Sequence, residues 1–297
     1  MCASHQGGAP FPSGLRSTKS FDEASGDDSP IGSEGFTPNR VGLGLFKVPA
    51  DFTQELVEMA LEVGYRHFDC ASAYGNETEL GRALSHSGLP RESFTVTSKA
   101  WIDEQGHVEI ADALRRSLDR LNLERVDLYM IHWPAPAQDL YVESFAAMVG
   151  LHDEGLIDHV AVSNFHIDYL ERLLNEVGVL PEMNQVERHP YLQQEELVAY
   201  HRSHGIATQA WAPLARAEIL SDPTLLALAE QESITVPQLV LAWHLSSSVS
   251  VIPKASSTQR LRENLEAATI SLQPDTIQAF AALERNHRVG PDPRDKN

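Results

Sequence analysis

Cysteine is nearly absent from this chain: 297 residues contain only Cys2 and Cys70. That count supports neither a disulfide framework nor a cysteine-rich zinc site, and it fits a reducing cytoplasm. Basic charge is scarce too. Lys and Arg number 23 against 42 Asp and Glu, a formal net charge of −19. Such a chain repels polyanions, so neither nucleic acid nor an anionic membrane is an expected partner, and any anionic ligand needs a local basic pocket. No apolar run approaches the roughly 20 residues of a membrane span, and the first residues lack the apolar centre of a secretory signal.

Missing motifs narrow the chemistry further. Tyr-x-x-x-Lys, the helical pair of one large dehydrogenase class, occurs nowhere. Gly42 and Gly44 are followed by Leu45, Phe46 and Lys47, without the third glycine of a Rossmann phosphate turn. Thirteen histidines are present, yet none forms a His-Glu-x-x-His pair, and His201 and His204 fall in a segment expected to be a helix facing outward. No metal site is expected.

What the chain does contain is alternation. Residues 1 to 33 are rich in Gly, Ser, Pro and Asp and poor in large apolar groups, so they read as a disordered extension, or as residues upstream of the true start. Ser33, Glu34 and Gly35 can turn a small hairpin, which Pro38 weakens. Beyond it, short apolar runs at 41–46, 66–69, 94–98, 126–131, 159–163, 183–187, 207–210 and 249–253 read as strands. Amphipathic stretches at 53–63, 77–87, 108–121, 140–154, 167–177, 194–204, 224–232 with 237–246, and 258–267 read as helices. Within 108–121, Val108, Ala111, Leu114, Leu118 and Leu121 recur at helical spacing as a core-facing stripe. Eight strands alternating with helical connections predict a parallel sheet closed into a single-domain (β/α)8 TIM barrel over residues 34–297.

In such a barrel, functional groups gather where strands end. Asp69 ends the second strand, Lys99 directly follows the third and His132 follows the fourth, while Tyr74 lies in the Gly/Asn-rich turn after Asp69. Neighbouring strands are about 5 Å apart, so these groups should converge on one rim. Taken singly, Asp69 is a strand terminator, Lys99 a solvated charge, and Tyr74 and His132 packed rings. Four of them on three consecutive strand ends are not readily dismissed.

These residues belong to a series of motifs: GYRHFDCASAYGNE at 64–77, Ser98-Lys99-Ala100-Trp101, Ile131-His132-Trp133-Pro134, Val162-Ser163-Asn164-Phe165, the run from Asn184 to Tyr191, and Ile252-Pro253-Lys254 with Arg260, Glu263 and Asn264. In this order, over residues 41 to about 290, the series resembles the aldo-keto reductase family. Phe46 to Pro49, Trp211 to Leu214 and Asn286 to Val289 look most like its bacterial 2,5-diketo-D-gluconate reductase branch.

The resemblance implies reduction of a carbonyl by NADPH. Tyr74 would donate the proton, Lys99 would lower its pKa, Asp69 would hold Lys99 charged, and His132 would align the carbonyl. It further implies that Ser163, Asn164 and Gln185 bind the nicotinamide carboxamide and that Trp211 stacks on the ring. Pro213 and Leu214 would lie along the pyrophosphate, and Glu263 and Asn264 would approach the adenine. Lys254, Ser256 and Arg260, at a helix start, suit the extra phosphate of NADPH. Ala255 and Leu45 depart from the Ser and Thr common in the family, each removing one hydrogen bond. Phe46, Trp101, His132 and Trp133 would line the substrate mouth. The segment after Leu283 is short for a specificity loop that crosses that mouth, so a broad range of small carbonyl substrates is expected of a monomeric enzyme. The alternative is a non-catalytic NADPH-binding sensor or subunit on the same barrel.

Overall fold

The computed structural model describes residues 40–297, so the expected extension and hairpin lie outside the described residues. Eight parallel strands run in sequence order: β1 (Leu43–Gly44), β2 (His67–Asp69), β3 (Thr95–Ala100), β4 (Val126–Ile131), β5 (Ile157–Ser163), β6 (Met183–Glu187), β7 (Ala207–Trp211) and β8 (Val249–Val251). Each pairs with the next in parallel. A parallel bridge between Val41 and Val251 closes the ring, with Gly42 N–H donating to the Val251 carbonyl at 2.8 Å. The result is a (β/α)8 barrel. Lys99 sits inside β3 rather than after it, because that strand continues to Ala100, two residues beyond the expected run of 94–98.

Among the described residues, ten α-helices wrap the barrel: α1 (Ala50–Val63), α2 (Glu77–His86), α3 (Glu109–Leu121), α4 (Tyr141–Asp153), α5 (Ile167–Val177), α6 (Glu195–Ser203), α7 (Pro223–Glu232), α8 (Val236–Ser246), α9 (Thr258–Glu266) and α10 (Pro274–Ala279). Their ends follow from local chemistry. Asp222 accepts from the N–H groups of Thr224 and Leu225 to start α7, and Pro223 supplies a fixed φ at its first position. Thr235 and Gln238 form a reciprocal capping box on α8. Gly64 stops α1 at φ 116, a value that disfavours any side chain, while its N–H reaches the Ala60 and Leu61 carbonyls.

A large apolar layer lies between sheet and helices, a second apolar cluster packs α7 and α8 against Phe280 and Leu283, and Leu128, Met130, Ala161, Met183 and Ala207 form a separate cluster of inward-facing strand residues. Two expectations about helix faces need correction. Val108 precedes α3 and is 61% exposed; Ile110 and Ala113 join Leu114, Leu118 and Leu121 in the buried stripe. His201 on α6 faces inward, fully buried between Asn184 and Thr208, because these polar partners on β6 and β7 give its imidazole hydrogen bonds at 3.0 and 2.9 Å.

Candidate active site

Because every strand is parallel, all eight C-terminal ends share one rim. The GYRHFDCASAYGNE stretch meets it as β2, a single 3-10 turn at Ser72–Tyr74, and the start of α2. Asn76 fixes this loop by donating to the carbonyls of Leu45 (3.0 Å) and Val48 (3.2 Å). Glu104 ties it to the loop after β3, accepting from Ser72 Oγ at 2.5 Å and from Trp101 N–H at 2.9 Å. Glu77 is structural. Its buried carboxylate binds Ser98 Oγ and Arg120, both at 2.6 Å.

The four expected groups come together. Lys99 Nζ donates to Asp69 Oδ1 at 2.6 Å and to the Cys70 carbonyl at 2.9 Å, in a pair with almost no exposure. The same ammonium lies 5.2 Å from the centre of the Tyr74 ring, and Tyr74 OH is 3.4 Å from His132 Nε2. Burial pushes the Tyr74 phenol well above its ordinary value, and the charge of Asp69 adds to that. In the free protein, burial outweighs any lowering of this pKa by Lys99. The ammonium is already hydrogen-bonded to a carboxylate, so the phenol feels a compensated pair in a site that burial dominates. His132 is held neutral: burial lowers it well below the ordinary value, with Lys99 and then Lys296 contributing in the same direction.

Aromatic rings frame this centre. Phe46 lies 5.2 Å from Tyr74, and Trp101 lies 5.0 Å from His132 at nearly a right angle. Trp133 stacks near His132 and meets Trp211 edge-on at 6.3 Å. Phe46 is 47% exposed, so part of the wall faces solvent.

A second chain of contacts runs around the rim. Trp211 Nε1 donates to Asn164 Oδ1 at 2.8 Å, Asn164 Nδ2 donates to the His132 carbonyl at 2.9 Å and to Ser163 Oγ at 3.0 Å, and Ser163 Oγ donates to the Gln185 carbonyl at 2.9 Å. Gln185 turns inward, donating to Asp69 Oδ2 and Gln209 Oε1, both at 2.7 Å. After Trp211, Ala212, Ala215, Arg216 and Ala217 all have positive φ around buried Pro213 and half-buried Leu214. Lys254, Ser256 and Arg260 are exposed around the start of α9, where Ser257 Oγ accepts from Arg260 N–H. Glu263 is half-buried, and Asn264 is buried against the Tyr65 hydroxyl. No side-chain contact among the described residues joins this α9 group to the Tyr74 centre; the sheet alone relates them.

The chain after Leu283 does reach the mouth, contrary to expectation. Glu187, buried at the end of β6, accepts the N–H groups of Val289 (2.5 Å) and Gly290 (3.1 Å). Beyond that latch, Arg294 pairs with Asp168, Lys296 Nζ lies 5.4 Å from the Trp101 ring, and Asn297 Oδ1 accepts from Ala137 N–H. The path has little regular structure, with bends at 289–290 and a turn at 293–295. Sequence reasoning also passed over Gln209, although its inward position two residues before Trp211 follows from strand alternation.

Comparison with known proteins places this geometry. The family model described as "Aldo/keto reductase family" matches residues 40–285. An aldo-keto reductase of Mycolicibacterium smegmatis is 41% identical over 89% of this chain and 96% of its own length. Methylglyoxal reductase DkgA of Yersinia pestis is 42% identical over 86% of this chain and 92% of its own. Among solved structures, a mutant of Gox0644 in complex with NADPH superposes with a TM-score of 0.83 at 39% identity, covering 87% of this chain and 94% of that one.

Proposed function

The chain belongs to the aldo/keto reductase family, and on that premise we propose that it is an NADPH-dependent oxidoreductase reducing small aldehydes, ketones or keto-sugars to alcohols. The observation that carries this reading is the meeting of Tyr74, Lys99, Asp69 and His132 behind an aromatic mouth.

Carbonyl reduction needs a hydride on carbon and a proton on oxygen. NADPH supplies the hydride when bound. The remaining work falls to side chains. Tyr74, kept protonated by burial, gives its proton to the carbonyl oxygen as alkoxide charge develops there. Lys99 stabilises the phenolate left behind, and Asp69 makes a buried ammonium tolerable. Neutral His132 donates one N–H to the same oxygen and orients it. Phe46, Trp101 and Trp133 wall the carbonyl carbon.

The residues present fit the dinucleotide. Ser163 and Asn164 offer hydroxyl and amide groups beside the partly buried indole of Trp211, and Gln185, whose NH2 is taken by Asp69 and Gln209, would contribute its side-chain carbonyl oxygen. The positive-φ backbone flanking Pro213 and Leu214 can turn N–H groups toward a pyrophosphate. Lys254 and Arg260 are exposed cations with no carboxylate partner among the described residues, beside Ser256 at a helix start, which suits the additional phosphate of NADPH. Glu263 and Asn264 would take the adenine end.

The test is NADPH consumption with methylglyoxal and a panel of aldehydes and keto-sugars, with NADH in parallel. Tyr74→Phe is expected to lower kcat by about 10²–10⁴-fold while NADPH affinity is retained. Full turnover by that variant would remove Tyr74 from the donor role, and NADPH binding without turnover of any carbonyl would favour the sensor reading.

A further inference from the structure

Gln209 is fully buried on β7 and is the direct register partner of Gln185 on β6. Gln185 reaches from β6 to β2 across the barrel, where its Nε2 donates to Asp69 Oδ2 at 2.7 Å. The other carboxylate oxygen, Oδ1, holds Lys99 at 2.6 Å. The amide orientation follows from the charge: turned over, Gln185 would set its carbonyl oxygen against a carboxylate. With NH2 facing Asp69, the second hydrogen of Gln185 is satisfied by Gln209 Oε1 at 2.7 Å.

That arrangement leaves Gln209 Nε2 buried without a hydrogen-bond partner among the described residues. An apolar side chain at this position would remove that orphan but would leave the second Gln185 hydrogen without its acceptor, so what Gln209 contributes here is contributed through Gln185. The one hydrogen bond of Gln209 on the inner face of the barrel fixes Gln185, and Gln185 fixes the carboxylate that holds Lys99 beside Tyr74. We propose that Gln209 is a positioning residue, holding Asp69 in line with Lys99 through Gln185.

This inference rests on the reductase reading, and the experiment separates the two. Four variants are compared with the wild type: Gln209→Met, which removes the acceptor at similar length; Gln209→Glu, which keeps an acceptor oxygen; Gln185→Met; and the double Gln185→Met/Gln209→Met. Carbonyl kcat and KM are measured, with NADPH Kd from quenching of tryptophan fluorescence and a thermal melt as the folding check. Gln209→Met should lower kcat by about two- to tenfold, the scale of one hydrogen bond, and leave the carbonyl KM within about twofold. Gln209→Glu should recover most of that loss. In the Gln185→Met background, adding Gln209→Met should change neither kcat nor NADPH Kd.

A Gln209→Met enzyme with wild-type kcat overturns the inference, as does a loss that simply multiplies with that of Gln185→Met, or a Gln209→Glu protein as impaired as Gln209→Met. If Gln209→Met does not fold, Gln209→Ala removes the same acceptor and carries the same expectation. A wild-type protein with no carbonyl turnover counts against the reductase reading, and the NADPH Kd comparison between the single and double variants then still decides the role of Gln209.

Discussion

Asp69 and Lys99 lie within 2.6 Å of each other in a site closed to water, so each charge is tolerable only while the other is present. Lys99→Met leaves a buried carboxylate with Gln185 as its remaining side-chain donor. The expected cost is about 3–5 kcal/mol of stability in urea unfolding, together with a large loss of kcat. Asp69→Asn/Lys99→Met should regain much of the stability and none of the activity, which separates the pair's structural part from its chemical one. A double variant no more stable than Lys99→Met would mean that the cost is lost packing. The same scale shows why a strongly raised phenol pKa is compatible with proton donation: the free site keeps the proton on Tyr74 until negative charge appears on the substrate oxygen.

Strands and helices place these groups, and even the two-residue β1 is tightly packed. A methyl on Gly44 in β1 would come within 2.6 Å of the Ile252 carbonyl oxygen just after β8. Gly44→Ala is expected to lower stability by about 1–3 kcal/mol, with a reduced melting temperature as the readout. An unchanged melt would show that the junction has slack. Much of this level was legible in the sequence. The apolar and β-branched runs delimit β4 and β6, and the helical period delimits α5, with the bounds that the structure has. The six residues of α10 are too few for a period to register. The inward turn of His201 escaped because its reason, polar partners on two strands, is tertiary. In the site, Asp69, Lys99, Tyr74 and His132 were legible because each sits in a recognisable motif at a strand end. The Glu187 latch was not, since it binds backbone N–H groups that leave no side-chain pattern.

Over the whole molecule, buried histidines set the response to acid. Burial lowers His67 to about 4 and His201 to about 3, and holds His132 and His244 well below the ordinary value. Between pH 6.5 and these values the unfolded chain binds protons that the folded chain refuses, so stability falls as pH drops through that window. His67 alone would remove about 3 kcal/mol by pH 4. Urea midpoints should hold steady above pH 7 and decline steeply from pH 6.5 to 5, with a shallower decline in His67→Gln. A midpoint independent of pH over this range would show that these rings are protonated in the native state.

The seam between Val41 and Val251 has one more consequence, for the order of synthesis. A ring of strands has no free margin once complete, but a sheet of β1 to β7 that awaits Val249–Val251 presents two, one on β1 and one on β7. Between the synthesis of β7 and the emergence of β8, then, an assembled sheet would be open and able to add a strand from a neighbouring chain, and the last strand is what removes that hazard.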